Sequence, residues 1–189
     1  MKTTPIIACS IFRPALEALG DSIPSHPVYF LDSRFHFTPE RLYNEVVRIT
    51  QELKVKQVFL LYGECSAGFN LPIPGINILR VNRKDCLEFL LGPEQTKSFA
   101  RQRCFVMLPE WVIRWEELFY HWFGFSPDLL KTYMQEIYSS IIIVDDHSTS
   151  LPDATLKDIA QATGLDCQRY PVDITLFRDA ILPILTELE

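Results

Sequence analysis

Long hydrophobic runs and an excess of positive charge are both absent from this sequence. No apolar stretch approaches the roughly 18–20 residues that a membrane-spanning helix needs. The chain carries 18 Lys and Arg against 24 Asp and Glu, a formal net charge of −6. A general nucleic-acid binder needs a basic face to displace counterions from phosphates. We therefore expect neither a membrane span nor a nucleic-acid partner.

The short motifs of nucleotide-binding proteins and common hydrolases are also missing. There is no GxGxxG, no GxxxxGK[ST] and no GxSxG. No CxxC or HxxxH pair marks a local metal site. The usual dinucleotide, P-loop and α/β-hydrolase functions are therefore not predicted.

The five cysteines are an odd number, so they cannot all pair with one another. Residues 1–12, MKTTPIIACSIF, are predicted to contain the first strand rather than a signal peptide, because Arg13 and a periodic helix follow without a small-residue cleavage site. We expect a cytoplasmic protein with reduced thiols, which bind metal, catalyse or are simply buried.

Short apolar runs alternate along the chain with longer amphipathic ones, a pattern typical of parallel strands with helical crossovers. Hydrophobic residues make up 48% of the sequence, enough for a sizeable core. The predicted strands span residues 5–9, 28–32, 57–63, 76–80, 104–108, 141–145 and 167–172. The sequence therefore predicts a Rossmann-like α/β fold with a mostly parallel sheet flanked by helices. We expect two lobes, 1–95 and 96–189, which form either similar units or one continuous domain.

Three cysteines and a histidine fall at one edge of the first predicted lobe. Cys9 ends the first strand, His36 follows the second, Cys65 follows the third, and Cys86 begins the helix after the fourth. Parallel α/β sheets bind ligands outside the carboxyl ends of their strands. We therefore expect these four residues to lie near one another.

This residue set suits a soft metal site, with Zn²⁺ as the first expectation and iron, an iron–sulfur cluster or corrinoid cobalt as alternatives. The start of a helix at Cys86 favours the thiolate form that binds metals. Buried cysteines often act only as small hydrophobic residues, so scattered thiols without a metal are the competing interpretation. That interpretation is preferred for Cys104 and Cys167, which lie in or beside predicted strands.

Two other features of the sequence have functional interpretations. Asp145, Asp146 and His147 follow a strand and could perform acid–base chemistry, although a polar loop start is the commoner use of such residues. The aromatic-rich stretch 111–123 has helical spacing. It indicates either core packing or a contact between copies of the chain or with a partner.

The chain resembles the bacterial and archaeal family catalogued as domain of unknown function 1638. The matching pieces are IIACSIFRPALEAL, FLDSRFHFTPERLYNEV, LLYGECSAG, RKDCLEFLLG with the later LPEW, and a C-terminal half that includes IIIVDD and GLDCQRYPVDITLFRDAI. The family pattern has cysteine or histidine at the positions of Cys9, His36, Cys65 and Cys86. It usually has a histidine where this chain has Lys84, and a second glycine after the cysteine in the loop CSAG.

The resemblance implies an association with a corrinoid protein or a methyltransferase, because family members often accompany corrinoid-dependent methyl transfer. The leading hypothesis is a metal-binding protein with Cys9, His36, Cys65 and Cys86 as ligands. The second is a metal-free enzyme in which Cys65 or Cys86 is the nucleophile and His36 the base. The third is a non-catalytic interaction module that uses stretch 111–123.

Overall fold

Strands and helices alternate to build two parallel β-sheets flanked by helices, which confirms the predicted fold class. The structure is a computed structural model that describes residues 4–64 and 72–187. The chain divides into two compact units, Met1–Phe89 with Ile174–Glu189, and Leu90–Asp173. The last helix thus groups with the first unit, whereas the sequence-based division at residue 95 assigned it to the second.

The first unit contains a four-stranded parallel sheet in the order β2-β1-β3-β4. Its strands are β1 (Ile6–Cys9), β2 (Val28–Leu31), β3 (Gln57–Leu61) and β4 (Asn77–Leu79). Helices α1 (Arg13–Leu19) and α2 (Pro39–Leu53) connect the first three strands. All four residues of β1 are buried, as expected for a strand covered on both faces.

The first unit is completed by α7 (Thr175–Glu187) from the end of the chain. Phe177 of this helix is fully buried. Its ring centroid lies 5.3 Å from that of Phe12 and 6.3 Å from that of Phe89. Contacts between residues this distant in sequence leave no local signal, so the return of the chain could not be inferred from periodicity.

The second unit contains a three-stranded parallel sheet in the order β5-β6-β7. Its strands are β5 (Cys104–Met107), β6 (Ser140–Asp145) and β7 (Cys167–Pro171). Helices α4 (Pro109–Ile113), α5 (Pro127–Ile137) and α6 (Asp153–Thr163) accompany them, and a π-helical segment covers Glu117–Trp122. The core of this unit combines apolar residues of β5, β6 and these helices.

Helix α3 (Cys86–Arg101) begins at Cys86, as predicted, and continues to Arg101. Gly92 interrupts it with a φ of 73° and a ψ of 162°, and Pro93 follows. The glycine reads as a helix end in the sequence, but the chain resumes helical geometry after this kink. In the described ranges, no helix combines the length and hydropathy required to cross a bilayer.

Candidate functional site

The strand order of the first sheet creates a point where the connections diverge. From β1 the chain crosses to β2 on one side, whereas β3, the other neighbour of β1, leads to β4 on the opposite side. Loops that leave neighbouring strands in opposite directions open a crevice at the carboxyl ends of those strands. The candidate site is therefore expected outside the ends of β1 and β3.

Cys9 is the last residue of β1 and pairs in register with Leu31 of β2. Its side chain is 8% exposed. The next residue, Ser10, begins a short 3₁₀ turn, and its hydroxyl accepts a hydrogen bond from the backbone N–H of Ser33 at 3.0 Å. This bond ties the loop after β1 to the loop after β2.

His36 lies in the 3₁₀ turn Ser33–Phe37 that follows β2. Asp32 caps the turn, because its carboxylate accepts the backbone N–H of Arg34 at 2.8 Å. The imidazole is half-buried and stands edge-on to the ring of Phe37, with 5.1 Å between centroids. His36 therefore lies at the carboxyl edge of the sheet, as predicted, one strand away from Cys9.

Cys86 is the first residue of α3 and is 9% exposed. Asp85 caps the helix by accepting the backbone N–H of Glu88 at 3.0 Å. In return, the buried Glu88 carboxylate accepts the N–H of Lys84 at 2.9 Å. This reciprocal pair resembles a capping box shifted by one residue, and it fixes where the helix and Cys86 begin.

The segment after β3 approaches the start of α3 very closely at Gly63. A Cβ atom on Gly63 would lie 2.6 Å from Cα of Asp85 and within 2.9 Å of its N and C atoms. The backbone N–H of Glu64 donates to the carbonyl of Arg83 at 3.1 Å. Gly63 thus brings the backbone of this segment directly against the backbone of Asp85.

The basic segment before Cys86 also contributes to this edge. Burial lowers the pKa of the Arg80 guanidinium, and the charge of Glu64 opposes that shift. The Arg80 side chain is thus drawn partly out of water beside the residue that precedes Cys65.

Three of the four predicted site residues, Cys9, His36 and Cys86, follow parallel strands of one sheet and share its carboxyl edge. Cys65 lies outside the described residues. Within 4–64 and 72–187, no three His, Cys, Asp or Glu side chains are grouped closely enough to hold a metal ion. The three described residues therefore do not form a complete ligand set by themselves.

The remaining cysteines lie in the second unit, at the opposite ends of strands. Cys104 begins β5 and Cys167 begins β7. Burial, assisted by the charge of Asp166, raises the pKa of the Cys167 thiol to about 11. At neutral pH this thiol stays protonated, which is unfavourable for metal binding or nucleophilic attack.

The acidic residues after β6 make structural contacts. Arg169 of β7 donates to Asp145 at 3.2 Å and to Asp153, the first residue of α6, at 2.7 Å. His147 Nδ1 lies 3.3 Å from the other Asp145 oxygen, and its side chain is largely exposed. Buried Asp146 accepts the backbone N–H of Ser148 at 3.0 Å. Through these contacts, the polar residues after β6 join β6 to β7 and to the start of α6.

Comparison with protein families agrees with the resemblance found in the sequence. The family model described as "Protein of unknown function (DUF1638)" matches residues 30–181 of the 189. The matched range includes His36, Cys65 and Cys86, whereas Cys9 precedes it. No curated protein matches the chain.

Proposed function

The chain belongs to the DUF1638 family, and we propose that it is a metal-binding protein with Cys9, His36, Cys65 and Cys86 as its ligands. The bound ion would be zinc by preference, since thiolates and imidazole are its usual ligands in proteins. Iron, an iron–sulfur cluster and corrinoid cobalt are the alternative occupants.

The divergence of connections between β1 and β3 carries this proposal. Cys9 ends one of these two strands, and the segment that leads to Cys65 leaves the other. Open parallel sheets bind small molecules and ions of many kinds in this crevice, because the diverging connections leave space there. The cysteine and histidine content of the surrounding loops then favours a soft metal over a nucleotide.

Covalent connectivity limits the position of the fourth ligand. Gly63 packs against the backbone of Asp85, the neighbour of Cys86. Cys65 follows Gly63 by two residues, and two trans peptide units span at most about 7.6 Å between Cα atoms. The proposal therefore requires segment 65–71 to complete a site that the described residues leave incomplete.

The charge of the proposed site depends on the residues around it. Three thiolates and a divalent ion leave a net negative charge, which is costly to bury without compensation. Arg80, Arg83 and Lys84 precede Cys86 in the segment between β4 and α3. Their positive charge would favour the deprotonated thiols that metal binding needs, while the carboxylates of Glu64, Asp85 and Glu88 at the same edge oppose it.

The role of the metal depends on its coordination. Four protein ligands would make the site structural or a metal carrier, whereas an open position beside His36 would suit Lewis-acid or methyl-transfer chemistry. A corrinoid protein or methyltransferase as partner, and a cytoplasmic location, stay predictions that derive from the family resemblance and the sequence.

Cobalt(II) titration of the metal-free protein tests the ligand set directly. Thiolate-to-cobalt charge-transfer absorption should appear in the near ultraviolet. Cys9→Ser, Cys65→Ser and Cys86→Ser each remove one ligand. Loss of a residue that only supports a ligand already lowers metal affinity by about tenfold to a hundredfold, so each of these variants should bind cobalt at least that much more weakly. Cys104→Ser is the matched control and should bind as the wild type does. Absence of the band in wild type, or equal loss in the control, would contradict the proposal.

A metal-free cysteine enzyme is the second candidate, favoured by the place of Cys86 at the first position of α3. Helix N-termini stabilise thiolates, and His36 on the same edge would be the base. This candidate predicts that one thiol reacts with iodoacetamide near neutral pH at least about ten times faster than the others, in protein without bound metal. Uniformly slow alkylation would exclude it.

A further inference from the structure

The aromatic-rich stretch 111–123 contributes mainly to the core of the second unit. Phe119 is fully buried, and four other aromatic residues pack partly buried against the same core: Trp111, Trp115, Tyr120 and Trp122. Among its large hydrophobic residues, Ile113 and Phe123 are the ones with high exposure. A contact surface built on this stretch alone would therefore be small.

A larger apolar surface lies on α5. Leu129, Tyr133 and Ile137 recur at every fourth residue and are 53%, 40% and 43% exposed. The neighbouring row of the helix, one residue further along the chain, carries the buried Leu130 and Met134. Residues four apart lie on one side of a helix, so the three exposed side chains form a continuous row.

Aromatic contacts extend this row toward the π-helical segment. The ring of Phe125 lies 5.0 Å from that of Tyr133 and 6.0 Å from that of Phe123, measured between centroids. Phe123 is itself 41% exposed. We call the set Phe123, Phe125, Leu129, Tyr133 and Ile137 the α5 stripe.

The size of the α5 stripe suits a modest protein interface. A large hydrophobic side chain has a total surface of about 150–250 Å². At their stated exposures, Phe123, Leu129, Tyr133 and Ile137 together offer on the order of 350 Å² of accessible apolar surface. Protein interfaces are roughly 60% apolar by area. An apolar area of this size therefore corresponds to a total interface area of about 600 Å² per copy. Doubling this reaches the lower end of the range of about 1,200–2,000 Å² for stable complexes.

We propose that the α5 stripe binds a second copy of this chain, with the two α5 helices packed antiparallel. The row is symmetric about Tyr133, so a two-fold axis there would place Leu129 of each copy against Ile137 of the other. The stripe contains no charged residue. Chains of net charge −6 can therefore associate through it without placing like charges opposite one another.

Mass measurement at several concentrations tests the proposed dimer. Light scattering after size-exclusion chromatography should give twice the 21.9 kDa of one chain at high concentration, with dissociation in the micromolar range of about 1–50 µM. Tyr133→Glu should give the monomer mass at every concentration, because it buries a charge at the two-fold axis. Leu129→Lys should do the same.

Leu176→Glu is the matched control, since Leu176 is a 49% exposed leucine on α7. It should leave the dimer intact. Circular dichroism of each variant confirms that loss of the dimer does not reflect unfolding, and either α5 variant suffices if the other fails to fold. A monomeric wild type at about 100 µM would overturn the proposal, as would equal loss of the dimer in Leu176→Glu.

Discussion

An alanine at position 63 would test the close approach between the segment after β3 and the start of α3. The added Cβ would meet three backbone atoms of Asp85 at 2.6–2.9 Å. A flexible side chain could move aside, but backbone atoms cannot do so without displacing the helix cap. Either the segment or the start of α3 must therefore shift.

The cost has two parts. Overpacking in a tight environment destabilises by about 1–3 kcal/mol. Separation of the two segments would also break the hydrogen bond from Glu64 to Arg83, worth about 1 kcal/mol. We expect Gly63→Ala to lower the free energy of unfolding by about 3 kcal/mol, or the melting temperature by roughly 6–12 °C for a chain of this size.

Gly75→Ala is the matched control for this experiment. Gly75 has a φ of +76° and no heavy atom within 4 Å of the added Cβ, so only the left-handed backbone conformation is penalised. That penalty is about 1 kcal/mol. Urea denaturation followed by circular dichroism compares the two variants. If Gly63→Ala proves no more destabilising than Gly75→Ala, the described contact with Asp85 is not a rigid constraint.

Two further predictions concern single side chains. Phe177→Ala removes a fully buried ring between Phe12 and Phe89 and should lower the free energy of unfolding in urea by about 3–5 kcal/mol. Leu176→Ala changes the exposed neighbour and should stay within about 0.5 kcal/mol of wild type. Similar losses in the two variants would refute the assigned packing of Phe177. The pKa of the Cys167 thiol is raised to about 11 from an ordinary 9.0. Alkylation of Cys167 at pH 8 should therefore be roughly a hundredfold slower in native than in urea-unfolded protein. Equal alkylation rates in the two states would contradict the burial of this thiol. The neutral Cys167 thiol stabilises the fold below about pH 9, and this contribution is lost as the pH rises toward about 11.

The strands could be predicted from sequence because buried parallel strands are short, continuous apolar runs. The predicted strand 57–63 is observed as Gln57–Leu61, and the predicted strand 167–172 is observed as Cys167–Pro171. Helix Pro39–Leu53 likewise carries clear sequence signals, because a threonine at the N-cap position, an early proline and a periodic apolar face all agree there. Local signals of this kind define elements within about two residues.

Long-range features had no comparable signal. Strand order, the return of α7 and the approach of Gly63 to Asp85 depend on contacts between distant segments. The four candidate residues could be assigned to one sheet edge from strand positions, and three of them are observed there. Their mutual distances depend on loop conformation, which neither periodicity nor composition specifies.

Metal analysis of protein purified without chelators tests the central claim most directly. Wild-type protein should contain about one equivalent of a thiolate-bound metal per chain, which Cys86→Ser should lose and Cys104→Ser should retain. Mass spectrometry of the metals, together with an absorption spectrum, would also distinguish zinc from iron or cobalt. Less than about a tenth of an equivalent of any metal in the wild-type protein would contradict the account.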